Sequence, residues 1–365
     1  MATESPTIDA PEPLAILNWQ MTFICNFNCH YCFGHELGGT AESVPVAKVV
    51  ACLQATGRKW QVNLVGGEVF LIPDFLETCI ALQKAGMMIS VETNLSLGDR
   101  VAEFCERIDP TRVESIHIST HIEEREKRKG VDRFIEDIGL LRRKGFNVYV
   151  NYVLHPSLFP RFQADYDRFA AQGILLKPAP FIGQYAGENY PEAYTTRERQ
   201  ILLKANPQAG TYTGLPARGM ACAAGRDFAV LDNGVFYRCN AFIGKLGDID
   251  EGFHLYDGAR MCPVRICPCW GYRFLTDRKK ADRLARRFRR SSLHVALKNH
   301  ALTRVPYRGL CRAGNWLKTH PALRAFRQRT ARMKDSLRNH AVAGPLYRRM
   351  CRMKDAVLRK LFPWY

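Results

Sequence analysis

Residues 14–32 read LAILNWQMTFICNFNCHYC, and this stretch decides how the rest of the chain is interpreted. Its first part, Leu14–Trp19, is apolar and predicts a β-strand. Three cysteines follow, Cys25, Cys29 and Cys32, separated by three and then by two residues. Paired zinc hooks place four ligands as two CxxC pairs, whereas three thiolates suit a four-iron cluster in which one iron lacks a protein ligand. The alternatives are a zinc site or unconnected core cysteines.

Strands and helices alternate after the cysteines. The predicted strands are Leu14–Trp19, Trp60–Val65, Met87–Thr93, Val113–Thr120, Asn147–Leu154 and Ile174–Phe181. The predicted helices are Pro45–Thr56, Asp74–Ala85, Asp99–Ile108, Asp132–Lys144, Phe162–Ala171 and Thr195–Ala205. Regular alternation at this spacing predicts βα units and an α/β fold, with a parallel sheet closed or partly closed into a barrel.

The cysteine triplet resembles the CxxxCxxC signature of the radical S-adenosylmethionine (SAM) superfamily, with an aromatic residue, here Tyr31, before the last cysteine. The resemblance covers Leu14–Phe181 and implies a partial (β/α) barrel of the radical SAM type. It also implies a [4Fe-4S] cluster on Cys25, Cys29 and Cys32 whose open iron is chelated by SAM. In the superfamily, an electron from the cluster cleaves SAM to a 5′-deoxyadenosyl radical, which abstracts hydrogen from a substrate.

A second motif, Gly66-Gly67-Glu68, follows the second predicted strand. Paired glycines let the backbone approach a ligand closely, and a Glu carboxylate can accept hydrogen bonds from an ammonium group. The motif resembles the GGE motif of the superfamily, which implies contact with the SAM amino group, although Val69 stands where Pro is usual. The resemblance also implies contacts with the SAM ribose and carboxylate from polar residues at later strand ends, which could equally be plain turn residues: Asn94, Ser119 and Asn151.

A second cysteine group begins with Cys222, eleven residues, Gly234, four residues and Cys239. A hairpin is predicted over Asp227–Tyr237 with its turn at Asn233 and Gly234, followed by a short helix. The spacing resembles the opening of the SPASM and twitch extensions of radical SAM enzymes, which implies one auxiliary [4Fe-4S] cluster. We predict its four ligands as Cys222, Cys239, Cys267 and Cys269.

Cys262 is left over by that assignment. It could be the fourth ligand, a free thiol that returns a hydrogen atom to the substrate, or a bystander. A zinc ribbon is the alternative for the whole second group. Three other cysteines lie within predicted helices on mixed apolar faces, where buried free thiols are ordinary, and no function is assigned to them: Cys52, Cys79 and Cys105.

Charge divides the chain of 365 residues unevenly. Residues 271–365 contain 26 Lys and Arg but four Asp and Glu, whereas residues 1–270 contain 27 and 31. We therefore predict four parts, the last of them with two copies of a repeat beginning at Leu297 and Leu337. They are a disordered N-terminus (1–13), the radical SAM partial barrel (14–206), the twitch-like auxiliary domain (207–275) and a basic helical tail (276–365).

The cysteine content and the absence of an export signal or a long apolar run predict a reduced, cytoplasmic setting. The basic tail could contact an anionic membrane surface or an acidic partner, or it could be a solvated helical appendage packed on the body. The favoured function is a radical SAM oxidoreductase, epimerase or peptide maturase. It would act with a flavodoxin- or ferredoxin-like reductant on a carbohydrate-like small molecule or a peptide. Two alternatives are an RNA-modifying enzyme that binds RNA through the tail, and a non-catalytic iron–sulfur or zinc scaffold. Conceivable acid–base groups, among which spacing does not select, are His155, Lys177, Glu188 and Tyr190.

Overall fold

The computed structural model describes residues 14–32, 44–191, 193–206, 217–264, 267, 274–277 and 279. All of them lie in one compact unit that spans residues 1–295. Six parallel strands, paired in chain order, form its centre: β1 (Ala15–Thr22), β2 (Trp60–Gly66), β3 (Met88–Thr93), β4 (Val113–Ser119), β5 (Val148–Leu154) and β6 (Leu176–Pro180). The parallel sheet that the sequence predicts is therefore confirmed.

Helices connect these strands and cover one face of the sheet. Their bounds are α1 (Val46–Ala55), α2 (Phe75–Lys84), α3 (Gly98–Arg107), α4 (Ile122–Lys127), α5 (Val131–Arg143), α6 (Phe159–Ala170) and α7 (Thr196–Ala205). Because the order of β1 to β6 never reverses, right-handed crossovers place the helices between them on the same face. Alternate strand residues such as Leu64, Val91 and Ile118 belong to the buried apolar core. This arrangement confirms the partial barrel.

Two local elements of this region are absent from the sequence prediction. The first is α4, whose six residues include five charged ones and therefore show no apolar periodicity. The second is a hairpin of β7 (Gly183–Tyr185) and β8 (Glu188–Tyr190), with three residues in each strand. Both elements are too short to give a periodic signal, and both lie after carboxyl ends of strands of the parallel sheet.

The second cysteine group is built on strands that extend the same sheet. β10 (Phe228–Asp232) pairs in parallel with the free edge of β1, and β11 (Val235–Cys239) pairs antiparallel with β10. Asn233 (φ 45°) and Gly234 (φ 79°) form the two-residue turn between them, which confirms the predicted hairpin. Consequently β1, which leads into the first cysteine group, is a central strand with neighbours on both sides.

The short helix expected after this hairpin is a wrong prediction. The chain instead forms β12 (Ile243–Asp248) and β13 (Gly252–Phe253), each paired antiparallel with the preceding strand. Gly244 (φ 63°) and Gly247 (φ 146°) have backbone conformations that a helix does not contain. Two short strands, β9 (Ala221–Cys222) and β14 (Arg260–Met261), pair separately.

The prediction for residues 1–13 and nearly all of that for residues 276–365, including the repeat, concern residues outside the described ranges. The proposed division at residue 207 stays a prediction, although β10 and β1 share one sheet. Among the described helices, the longest has 13 residues, and none has the length and apolar character needed to cross a bilayer.

Candidate active site

The first three cysteines lie in the loop that leaves the carboxyl end of β1. Cys25 is half-buried, Cys29 is buried and Cys32 is exposed, and the Cys32 amide donates to the Cys29 carbonyl over 3.0 Å. Burial raises the pKa of Cys25 and raises that of Cys29 to about 12, and the charges of the other cysteines add to both increases. The three thiols are therefore close enough to share one electrostatic environment.

The cysteine loop offers three thiolates as donors for a metal centre. Within the described ranges, no group of three or more His, Cys, Asp or Glu side chains is arranged to hold one metal ion. In a four-iron cluster each thiolate binds a different iron, so the sulfurs need more separation than the ligands of one ion. Metal binding would also relieve the cost of ionising buried thiols. Cys25, Cys29 and Cys32 therefore fit a [4Fe-4S] cluster with an open iron.

The two glycines of the GGE motif hold this loop against the end of β2. The Gly67 amide donates to the Thr22 carbonyl over 2.8 Å, and the Glu68 amide donates to the Ile24 carbonyl over 2.9 Å. A Cβ on Gly66 would lie 2.4 Å from the Thr22 oxygen, and one on Gly67 would lie 2.2 Å from the Ile24 oxygen. The close approach that glycine permits here is to the chain's own backbone, immediately before Cys25.

The Glu68 carboxylate is buried and hydrogen-bonded within the chain. Its side chain is 0% exposed, and its carboxylate accepts hydrogen bonds from the Phe70 amide (3.1 Å), the Thr93 hydroxyl (2.7 Å) and the Asn94 amide (2.6 Å). Burial raises the pKa of Glu68, and these hydrogen bonds and the charge of Arg125 oppose the increase. In this structure the carboxylate joins the ends of β2 and β3, and its contact with SAM stays a prediction.

Asn94 connects that end of β3 with the cysteine loop. Its amide nitrogen Nδ2 donates to the Cys25 sulfur at 3.6 Å and to Asn26 Oδ1 at 2.9 Å, while its Oδ1 accepts from the Ser96 amide at 2.9 Å. The side chain is 2% exposed. Asn94 therefore positions Cys25, and the predicted contact with SAM is a second role that no contact here tests.

Arg125, on α4, is a functional residue that the sequence analysis missed. It is 2% exposed and donates to the carbonyls of Asn94, Ser119 and Thr120, the last through Nε at 2.7 Å. Its guanidinium lies 3.5 Å from the centre of the Phe134 ring. Burial lowers the pKa of Arg125 to about 9. No sequence signal identifies it, because it is one charge among several in a short polar helix.

Ser119 and Asn151 lie in register on neighbouring strands and line a cavity of 470 Å³ on the face of the sheet opposite the helices. Lys177 follows in the same register on β6 and lines the same cavity. The sequence expectation of polar residues at strand ends on one rim therefore brings these side chains together. Their contacts with SAM stay predictions.

The other acid–base candidates lie near the cysteine loop or on the short hairpin. His155 is 1% exposed, lies 3.3 Å from His30 through the ring nitrogens, and contacts the rings of Phe181 and Tyr185. Burial, reinforced by His30, lowers the pKa of His155 to about 4. Glu188 and Tyr190 belong to β8. The structure thus selects Lys177 as the cavity-lining member of this set.

The second cysteine group places four thiols in one neighbourhood. Burial raises the pKa of both Cys222 and Cys239, and the nearby Cys262 and Cys267 raise each further, while Arg238 opposes. Cys262 packs against the buried clusters that contain Cys222 and Cys267. Cys262, which the sequence assignment left over, therefore lies with three predicted ligands. The fourth predicted ligand, Cys269, is outside the described residues.

Comparison with known proteins agrees with this reading of the barrel. Residues 19–162 match the family model described as the radical SAM superfamily. A probable GTP 3′,8-cyclase of Metallosphaera sedula is 31% identical over 157 residues, which are 39% of this chain and 48% of that protein. The matched part is thus about half of the relative's length.

Solved structures give more distant similarities. Streptococcus suis SuiB bound to S-adenosylmethionine is 18% identical over 64% of this chain and 63% of that chain, with a TM-score of 0.47. The protein anSMEcpe with bound AdoMet and Kp18Cys peptide is 15% identical over 66% and 79%, with a TM-score of 0.49. No conclusion about this chain rests on these two similarities.

The match of residues 19–162 covers the cysteine loop, the GGE motif and the first five strands of the parallel sheet. Members of the matched superfamily use a [4Fe-4S] cluster and SAM. Residues 19–162 therefore form a region that matches the radical SAM superfamily.

Proposed function

We propose that this chain cleaves SAM reductively and abstracts hydrogen from a small polar substrate bound in the barrel cavity. The observation that carries the proposal is the position of the cysteine loop relative to that cavity. Asn94 contacts the Cys25 sulfur and directly follows β3, whose inner face lines the cavity at Ser90 and Glu92. The cavity runs along the inner face from Gln61 and Glu114, near the amino ends of their strands, to Ser119 at the carboxyl end of β4. Part of its lining therefore reaches the carboxyl-end rim, where the cysteine loop lies and where parallel barrels perform their chemistry.

A four-iron cluster with SAM bound would supply a one-electron reductant and, from SAM, the 5′-deoxyadenosyl radical. Cys25, Cys29 and Cys32 would hold the cluster. The chain's own contribution is positioning, because the backbone bonds from Gly67 and Glu68 and the side chain of Asn94 hold the loop at the rim. A flavodoxin- or ferredoxin-like protein as the electron donor is part of this proposal.

The cavity lining favours a carbohydrate-like molecule over a nucleotide. Amides and hydroxyls dominate its polar surface, including Gln61, Asn63, Ser90, Ser119 and Asn151. Triphosphates are usually held by several basic groups. The described lining offers Lys177 as its basic side chain, against Glu92 and Glu114. The GTP chemistry named for the Metallosphaera relative therefore finds little support in this cavity, and a peptide remains the second substrate class.

The second cysteine group is proposed to bind one auxiliary cluster that accepts an electron from the substrate radical or positions the substrate. The gathering of Cys222, Cys239, Cys262 and Cys267 supports Cys262 as the fourth ligand in place of Cys269. If Cys262 binds the cluster, its thiol is not free to return a hydrogen atom to the substrate. Iron content and Mössbauer spectra of Cys262→Ala and Cys269→Ala variants would separate these assignments.

The direct test is SAM cleavage by the anaerobically reconstituted and reduced protein. We expect 5′-deoxyadenosine to form, and to be absent from a variant in which Cys25, Cys29 and Cys32 are all replaced by Ala. Cys79→Ala serves as the control, because Cys79 is a buried core cysteine of α2 and should leave cleavage intact. A protein with a complete cluster that forms no 5′-deoxyadenosine would contradict the proposal and favour a scaffold role.

A further inference from the structure

The inner face of the barrel carries polar residues in rows across neighbouring strands. Glu92 on β3 is in register with His117 on β4, and His117 is in register with Tyr149 on β5. All three residues line the 470 Å³ cavity. Because strand residues alternate between faces, these side chains share the face opposite the apolar core. Polar side chains from three neighbouring strands therefore line this part of the cavity.

Glu92 is a partly exposed carboxylate in the wall of this cavity. Among the described residues, its carboxylate has no hydrogen-bond or ion-pair partner, whereas Glu68 has three donors and Asp137 has Arg133. Burial alone raises its pKa, with no nearby cation opposing the increase. A carboxylate placed in this way gains most from a ligand that brings a positive charge or several donors.

His117 and Tyr149, the neighbours of Glu92 along the row, contact other groups. His117 Nε2 lies 3.0 Å from the Ser115 hydroxyl, and burial together with the charge of Lys177 lowers the pKa of His117, with Glu114 opposing. The His117 ring also stacks on Tyr149 at 5.3 Å. The lowered pKa disfavours the charged form of His117, so His117 is a poor partner for the Glu92 carboxylate.

The second charge that faces this side of the cavity is that of Lys177, on β6. Its Nζ lies 5.3 Å from the centre of the Tyr149 ring and forms no ion pair with Glu92. The remaining carboxylate, Glu114, is exposed and accepts a hydrogen bond from the Ser115 hydroxyl. The cavity thus has an unpaired negative end at Glu92 and a positive end at Lys177.

We propose that the Glu92 carboxylate binds the ammonium group of a small polyhydroxylated amine in this cavity. Lys177 repels the ammonium, so the amine lies at the Glu92 end and the hydroxyl groups lie toward Lys177. A volume of 470 Å³ accommodates a molecule of monosaccharide size. This inference deepens the proposed function, on which it rests for the nature of the reaction.

The test compares matched probes on the reconstituted holoenzyme, with its cluster oxidised and SAM bound so that no turnover occurs. D-Glucosamine and D-glucose differ in one ammonium or hydroxyl group, and D-gluconate carries a negative charge instead. We expect calorimetry at pH 7 to show that glucosamine binds about tenfold or more tightly than glucose, because a charge-assisted hydrogen bond replaces a neutral one. Glu92→Gln should remove this preference.

The control variant is Glu114→Gln, which should keep the preference for the amine. Equal binding of glucosamine and glucose, no binding of glucosamine, stronger binding of gluconate, or an unchanged preference in Glu92→Gln would each overturn the inference. Loss of the preference in Glu114→Gln in place of Glu92→Gln would also overturn it. SAM cleavage measured on the same preparation separates these failures from a failure of the proposed function.

Discussion

The rim and the inner face of the barrel differ in whether their polar side chains have hydrogen-bond partners within the chain. At the rim, defined here by Cys25, Glu68, Thr93, Asn94 and Arg125, each of these side chains has hydrogen-bond partners within the chain. On the inner face, Glu92 has none among the described residues. Internal satisfaction makes the rim a fixed platform for the cysteine loop. An unsatisfied carboxylate beside a cavity is instead a group whose partner arrives with the ligand.

The largest effect that this comparison predicts is that of Arg125→Ala. The change leaves the carbonyls of Asn94, Ser119 and Thr120 without their buried donor and removes the charge that opposes the raised pKa of Glu68. We expect the free energy of unfolding to fall by about 3 kcal/mol or more. Urea denaturation would measure it, with Arg112→Ala, an exposed arginine, as the control. A loss within the error of the control would show that the rim is not a coupled unit.

Glu68→Gln should have the next largest effect, because the amide NH₂ of Gln would meet donors where the carboxylate accepted three hydrogen bonds. We expect a loss of about 2 kcal/mol in the free energy of unfolding. Glu103→Gln is the matched control, since Glu103 forms an exposed ion pair with Arg107 on α3 and should change the value by about 0.5 kcal/mol or less. If SAM affinity falls while stability is unchanged, Glu68 contacts the cofactor directly.

Gly67→Ala tests how the rim holds the cysteine loop. The new Cβ would lie 2.2 Å from the Ile24 backbone oxygen, so the loop has to shift, at a cost of about 1–3 kcal/mol. We expect the reconstituted variant to retain less iron than the parent, measured by colorimetric iron analysis. Gly258→Ala, where a Cβ has no neighbour within 4 Å, should retain the parental iron content. Equal iron in the two variants would contradict this role of the glycine.

The smallest effect, and one of opposite sign, is expected for Glu92→Gln. Replacing an unpaired carboxylate by a neutral amide should raise the free energy of unfolding of the ligand-free protein by about 1 kcal/mol at pH 7. The folded-state pKa of Glu92 is raised, so the penalty is fully present above that pKa and disappears as the pH falls toward the ordinary value. Stability of variant and parent measured from pH 7 down to pH 4 should therefore converge. A destabilised variant at pH 7 would mean that the carboxylate has a partner.

The sequence identifies the cysteines and glycines of the rim, but it does not predict the hydrogen bonds that join the residues of the rim. Cys25, Gly66 and Gly67 are visible because their spacing is unusual. The sequence does not single out Arg125, because a buried arginine and a surface arginine look alike in a short polar helix. Its role depends on three carbonyls that come from β3, β4 and the loop after β4.

The alternation of polar and apolar residues in β3 and β4 is a sequence signal for the inner face. Ser90 and Glu92 alternate with Ile89 and Val91 in β3, and the same alternation continues in β4. Buried parallel strands usually read as continuous apolar runs, so alternating polar residues indicate a strand with one face on a cavity. The alternation predicts the face, but it does not tell that Glu92 lacks a partner while Ser90 contacts Ser115.

The sequence alone determined the order of β1 to β6 and of the longer helices between them, the turn at Asn233-Gly234 and the two groups of cysteines. These features depend on local backbone preference, apolar periodicity and residue spacing, which are all written along the chain. Tertiary structure alone decided that Cys262 lies beside Cys222 and Cys267, that Arg125 closes the rim and that Glu92 stays unpaired. Those outcomes depend on which distant strands and loops meet, and burial then sets the cost of every polar group left without a partner.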